Sequence, residues 1–331
     1  MAKARPSTWR LTLLKLVISL TLVGMVLALA DISEVAARFV AIGLGPVAIA
    51  IALCFSQILL TGIRWYIIGI GTGRFIGCWQ TVRIIFAAMF CNQLLPTSIG
   101  GDIVRVGLLV RLSVPTGRAA RTVVLDRTAG LLSLLTLMVV TSIVLGEHLL
   151  PAWPVHVIRS LPVAAIAFVL GLLFIGDRVA AIVERWPFLI WVAGLLRDSN
   201  RLLRDGLSTV IILFLSYGIH CASAVSIWVL ACGLGVEIDF IQVLGLLPIV
   251  ILMVLLPLSI AGWGVREGTI VALFALLGIE SASALAVSLL WGVAIAVSAV
   301  VAGAIWGLTR SKGERLPDGE MAPDTEGHHA P

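Results

Sequence analysis

Residues 95–107 read LPTSIGGDIVRVG, and residues 256–268 read LPLSIAGWGVREG. The two stretches align without a gap at an offset of 161 residues, with eight of the thirteen positions identical. Each copy interrupts an apolar context with Pro and Gly. It then sets an arginine, Arg105 or Arg266, where a membrane helix tolerates few charges. Matched helix breaks in the two halves of a membrane protein point to a transporter-type binding site.

The surrounding chain fits that setting. Of 331 residues, 60% are hydrophobic and 12% are charged, and the mean hydropathy is +1.11. A soluble domain cannot hide so much apolar surface, which places the chain among integral membrane proteins. The net charge of +5 is spread over many loops; it suits orientation by basic loops and contact with anionic lipid, and makes no case for nucleic acid. Cys54, Cys78, Cys91, Cys221 and Cys232 lie in or beside apolar segments without a CxxC. They read as packing residues, with no disulfide or metal site expected.

Apolar runs long enough to span are Leu11–Ala30, Pro46–Ile70, Val123–Gly146, Leu161–Gly176, Leu207–Leu234 and Ala284–Gly307. Ala28-Leu29-Ala30 resembles a signal-peptidase site, but the run is long enough to span and the repeat requires a first helix, so it is expected to be retained. Shifting the second and third spans by 161 residues lands on later spans. The sequence repeat therefore sits inside an architectural one: a first membrane repeat over 1–146, a second over 147–308, and a polar, disordered tail over 309–331. The broken elements cover about 79–111 and 240–278. In each an apolar helix runs into Leu-Pro, and Ser98 or Ser259 is placed to cap the helix that restarts. A re-entrant hairpin or two full crossings would both fit, and Asp102 and Arg105 early in a short second arm favour the hairpin.

Either form returns the chain to the face it left, so each half crosses an odd number of times and the second half must be inverted. Arginine counts agree. With a cytoplasmic N-terminus, the inside segments collect most of the basic residues, among them Arg74, Arg111, Arg118, Arg121, Arg185 and Arg201. The outside connections hold only Arg38 and Arg159 beside Asp31, Glu34, Glu147, Glu237, Asp239 and Glu280. Segment 177–206 alternates apolar and charged residues and reads as helices on the cytoplasmic surface. The expected fold is thus an all-α polytopic membrane protein of two inverted repeats, each with a re-entrant helical hairpin and with both termini cytoplasmic.

Arg105 and Arg266 are the leading functional candidates. If the hairpin tips meet near the midplane, helix N-termini and two guanidiniums converge where a phosphate or phosphodiester would bind. The structural alternative is ion pairing, Asp102 with Arg105 at i,i+3 and Glu267 with either arginine. Asp126-Arg127 has no counterpart in the second half, where the offset gives Val287 and Ser288. It reads as a pair snorkelling to the interface or as a gate on the cytoplasmic cavity, and Arg64 also reads as snorkelling. Asn92 and Gln93 precede the first corner and could line a cavity, while His220 suits helix packing. No HExxH, GxSxG, Walker loop or metal-spaced cluster is present, so neither enzyme activity nor a cofactor is expected.

The LPxSxGGDxxRxGLL corner, the following VVLDRTAGLL and the later LPLSIAGWGVREG resemble the bacterial lysylphosphatidylglycerol synthase transmembrane, or flippase-like, family, over about residues 11–308. The resemblance implies a bacterial inner-membrane protein that moves aminoacylated phospholipid between leaflets; other stand-alone members are tied to polyprenyl-linked sugars or hopanoids. It carries over Pro96, Gly100, Gly101, Asp102, Arg105, Pro257, Gly262, Arg266 and Glu267 as cavity residues. Ala261 departs from the family's Gly-Gly in the second corner. The synthase members' soluble catalytic domain has no counterpart in the tail, so synthase activity does not carry over. The expected function is translocation of a lipid with a phosphate head group. The alternative is a non-transporting accessory protein that binds lipid for a separate membrane-bound lipid-modifying enzyme or glycosyltransferase.

Overall fold

In lipid every backbone polar group must be satisfied within the chain, and helices do this segment by segment. The computed structural model describes residues 38, 41–73, 75–94, 100–145, 155–186, 189–256 and 262–309, and no strand occurs among them. The first expected span, the tail, and Pro96, Ser98, Pro257 and Ser259 lie outside the described residues.

Among the described residues eleven helices follow in order: α1 (Leu44–Gly71), α2 (Cys78–Leu94), α3 (Gly100–Arg111), α4 (Thr116–Leu145), α5 (Val155–Phe174), α6 (Gly176–Val183), α7 (Ile190–Arg204), α8 (Gly206–Gly233), α9 (Phe240–Leu255), α10 (Val265–Ala275) and α11 (Ser281–Thr309). By length and composition α1, α4, α8 and α11 can cross a membrane. The chain is an all-helical polytopic membrane protein.

The pattern of long, short, short, long occurs twice. Helices α1 to α4 have 28, 17, 12 and 30 residues, and α8 to α11 have 28, 16, 11 and 29. Each short pair flanks one copy of the corner sequence. At 1.5 Å per residue, α3 and α10 reach under about 20 Å, too short for a hydrocarbon core of roughly 30 Å.

Packing between the halves is reciprocal. Helix α2 packs on α11 and α9 packs on α4, so the first short helix of each half lies against the last long helix of the other. The most extensive contact joins the matched helices α1 and α8. These two run antiparallel: Gly233 abuts Pro46, Cys54 meets Ser226, Ser223 bonds Gln57, and Leu202, just before α8, abuts Gly71. Two cores result. One joins α8–α11 to Ala50 and Cys54 of α1, and the other joins α1–α4 to Ala302 and Trp306 of α11.

The ends of the bundle sort by expected side. Arg38 pairs with Glu280 at 2.7 Å, and both belong to the expected outside set. At the other end α7 docks on α4 through Arg121–Asp198 at 2.6 Å and the Trp191 indole N–H on the Gly117 carbonyl. Its inner face buries Ala193, Leu196 and Leu202, while Ile182, Trp186 and Ile190 of the α6–α7 hairpin remain exposed. The hairpin thus has one face packed on the bundle and one left apolar and exposed.

Candidate functional site

Helix α3 begins where α2 ends, and the approach is close. The Gly101 amide donates to Asn92 Oδ1 at 2.7 Å. A Cβ on Gly101 would lie 2.6 Å from that oxygen and 2.8 Å from the Ala88 carbonyl. Only glycine allows α3 to start this tightly against α2. The helix then carries Asp102 and, one turn later on the same face, Arg105, whose side chain reaches toward α1 and α4.

Arg105 enters a buried ionic cluster. Its Nη2 donates to Asp126 Oδ2 at 2.8 Å, and its Nη1 stands 3.5 Å from Asp102 Oδ1. Asp126 Oδ1 takes Arg64 Nε at 2.8 Å, and Arg64 Nη1 reaches Ser216 Oγ at 3.0 Å. Arg127 pairs with Asp102. The Arg105 guanidinium also lies 4.1 Å over the Trp65 ring, a cation–π contact strengthened by burial. Arg64, Arg105 and Asp126 are all at least nine-tenths buried.

This geometry corrects the snorkelling expectation for Arg64 and Asp126. Both residues turn inward, because a carboxylate and two guanidiniums already inside the bundle satisfy one another more fully than a reach to the interface would. Arg127 keeps a substantially exposed side chain, so the two members of the Asp126-Arg127 pair face different surroundings.

The cluster opens on a cavity of about 420 Å3, lined by Arg64, Asn92, Gly101, Asp102, Arg105, Asp126, Arg127 and His220, among others. A second cavity of about 250 Å3 shares Thr61, Met89 and Asn92 with it and adds Gln57 and Gln93. The volumes suit a small head group. His220 Nε2 lies 3.1 Å from both the Gly130 carbonyl and Ser133 Oγ, the helix-packing role the sequence suggests.

The second corner is built differently. Arg266 pairs with its neighbour Glu267 at 2.5 Å and stacks 4.6 Å from the Trp263 ring, with Trp291 beyond at 5.9 Å. Glu267 Oε2 accepts the Gly264 amide at 2.6 Å, and α10 starts at Val265, with Gly264 rather than Ser259 in the N-cap position. Gly262 and Gly264 have φ of 81° and 85°, a region open to glycine. Arg266, Glu267 and Gly262 do not line the cavity that holds Arg105. Glu267 therefore pairs within its own helix, not across the axis.

The structure thus gathers Asn92, Gly101, Asp102, Arg105, Asp126 and Arg127 around one cavity, with Gly100 buried at the start of α3. Sequence reading did not assign Arg64, Trp65, Ser216 or His220 to it. One signal was available: Arg64 has no arginine at the matching position, which is Val225, just as Asp126 is matched by Val287. Two unrepeated opposite charges in one apolar half are partners for each other. Among the described residues no group of His, Cys, Asp and Glu could hold a metal.

No curated protein matches the chain. The family described as lysylphosphatidylglycerol synthase TM region matches residues 12–303. That match spans all the described helices except the last turns of α11, and with it the ionic cluster and both corners: the chain belongs to the family of the lysylphosphatidylglycerol synthase transmembrane region.

Proposed function

We propose that the chain moves a phosphate-bearing lipid, a phospholipid or a polyprenyl-phosphate-linked lipid, between the leaflets of a bacterial inner membrane. The observation that carries this reading is Arg105. It is a membrane-embedded guanidinium at least nine-tenths buried, its Nε has no partner among the described residues, and it lines a cavity large enough for a head group. A charge is costly at that depth, and bilayer-embedded arginines that line cavities mark substrate paths. Asp102 and Asp126 hold the guanidinium in place, and the acyl or prenyl chains stay in lipid. The reading needs no cofactor and no catalytic residue.

Two inverted repeats with re-entrant hairpins are part of the same proposal. The antiparallel course of α1 and α8, the reciprocal packing and the shortness of α3 and α10 support it. Inverted repeats give a central site two related ways to open, one to each face.

The alternative is an accessory protein that presents lipid to a separate membrane-bound enzyme. The exposed Ile182, Trp186 and Ile190 of the α6–α7 hairpin would suit such a partner. Leaflet exchange in proteoliposomes separates the two. Labelled phosphatidylglycerol and polyprenyl phosphate should cross faster with the chain than without it, and Arg105→Gln should return the rate toward that of empty vesicles. Exchange at the protein-free rate for both lipids, with lipid still bound, would leave the accessory reading.

A further inference from the structure

Each carboxylate oxygen of the two aspartates facing the large cavity lies within ion-pair distance of an arginine. Asp126 gives Oδ1 to Arg64 and Oδ2 to Arg105, and Asp102 gives Oδ1 to Arg105 and Oδ2 to Arg127. Among the described residues the cavity is lined by no other acid and by no Phe, Tyr or Trp. The Trp65 face beside it is covered by the Arg105 guanidinium. An ammonium entering here would meet three guanidiniums, carboxylates that already hold arginine counter-ions, and no open ring face. Three arginines less two aspartates leave one positive charge in excess.

Two further polar groups, on residues that line these cavities, are buried without a partner among the described residues. The Gly130 carbonyl can only accept, so His220 Nε2 carries the hydrogen that faces it. Nδ1 of this 7% exposed residue has no partner among the described residues, and in the neutral ring it is an acceptor. In the adjoining cavity Gln57 accepts from Ser223 at Oε1, and its Nε2 donor has no partner among the described residues. A free acceptor and a free donor suit hydroxyls, which both donate and accept.

We infer that the cavity selects a net-anionic, hydroxyl-bearing head group such as glycerol phosphate, and rejects aminoacylated head groups that carry an ammonium. The inference rests on the cavity's proposed lipid-handling role and narrows its substrate class.

Native mass spectrometry of the full chain in detergent, titrated with phosphatidylglycerol, its lysyl ester and phosphatidic acid of identical acyl chains, tests it. Phosphatidylglycerol should bind at least about tenfold more tightly than the lysyl ester, the one excess charge and the missing counter-ion together being worth a full decade. Equal or tighter binding of the lysyl ester overturns the inference. His220→Ala should weaken phosphatidylglycerol by roughly fivefold, the scale of one hydrogen bond, and leave phosphatidic acid unchanged. Equal losses for both lipids overturn the hydroxyl assignment. Arg127→Gln, which brings the charge excess to zero, should narrow the phosphatidylglycerol-to-lysyl ratio, and Asp102→Asn, which raises it to two, should widen it. Unchanged ratios in folded variants, checked by melting in the same detergent, overturn the electrostatic basis. Leaflet exchange is scored separately. A chain that binds phosphatidylglycerol and moves nothing keeps the inference and loses the translocase proposal. A chain that prefers and moves the lysyl lipid does the reverse, and one that binds no lipid loses both.

Discussion

Asp126 is the residue on which the ionic cluster turns, since its two oxygens separately hold Arg64 and Arg105. Removing the carboxylate strands two guanidiniums in a low-dielectric interior, so Asp126→Ala should cost about 3–5 kcal/mol of stability, measured by unfolding in mixed micelles. The double variant Asp126→Ala/Arg64→Met should recover part of that loss, because one uncompensated charge goes with the acid. Arg266 answers to a different test. A Cβ on Gly292 would fall 2.1 Å from Arg266 Nη2, so Gly292→Ala must displace the Arg266–Glu267 pair and should cost about 1–3 kcal/mol. Gly130→Ala, whose new methyl would stand 3.4 Å from Arg64 Nη1, should be milder, and equal losses at both positions would contradict this packing. The contrast shows what the sequence could convey at this scale. The duplicated arginine is legible because it repeats, and so are its sequence neighbours Asp102 and Glu267 as partners, whereas the Asp126 bridge to Arg64 and Arg105 is not. Helical periodicity does not say which way a lone Arg64 or Asp126 faces when all sides of a span are apolar, and only the packed neighbours decide.

Among elements, the crossings are set by small residues at close approaches. A Cβ on Gly303 of α11 would lie 2.5 Å from the Phe90 ring of α2, while one on Gly307, a turn later, would meet nothing within 4 Å. Gly303→Val should therefore separate α11 from α2 and lower the melting temperature in detergent, with a cost of about 1–3 kcal/mol, and Gly307→Val should leave it unchanged. Equal effects would mean that these helices do not cross where the structure places them. At this scale the sequence was largely readable. Long apolar runs and Pro-Gly corners locate α1, α4, α8 and α11 and the breaks between the short pairs, because bilayer thickness and helix-breaking chemistry are local rules. Pairing was not readable in the same way: nothing local says that α2 lies on the last long helix of the other half.

For the whole molecule, sidedness can be tested with native residues. Cys78 at the start of α2 and Cys232 near the end of α8 are both exposed, while Cys54 and Cys91 are buried. The proposed inverted topology would put Cys78 on the cytoplasmic side and Cys232 on the opposite face. A membrane-impermeant maleimide applied to spheroplasts should modify Cys232 and spare Cys78 until the membrane is opened. Modification of Cys78 from outside would rule out that topology. Reciprocal packing has a further consequence, for the order of synthesis. Arg64, Arg105 and Asp126 all belong to α1–α4, so their ion pairs can form once α4 has entered the membrane. The apolar seat on α2 waits much longer, because Ala302 and Trp306 arrive only with the last described helix. Nascent first halves would then sit in the bilayer with their ion pairs made and their packing unfinished, and a chain halted before α11 should be recognised as such by membrane proteases.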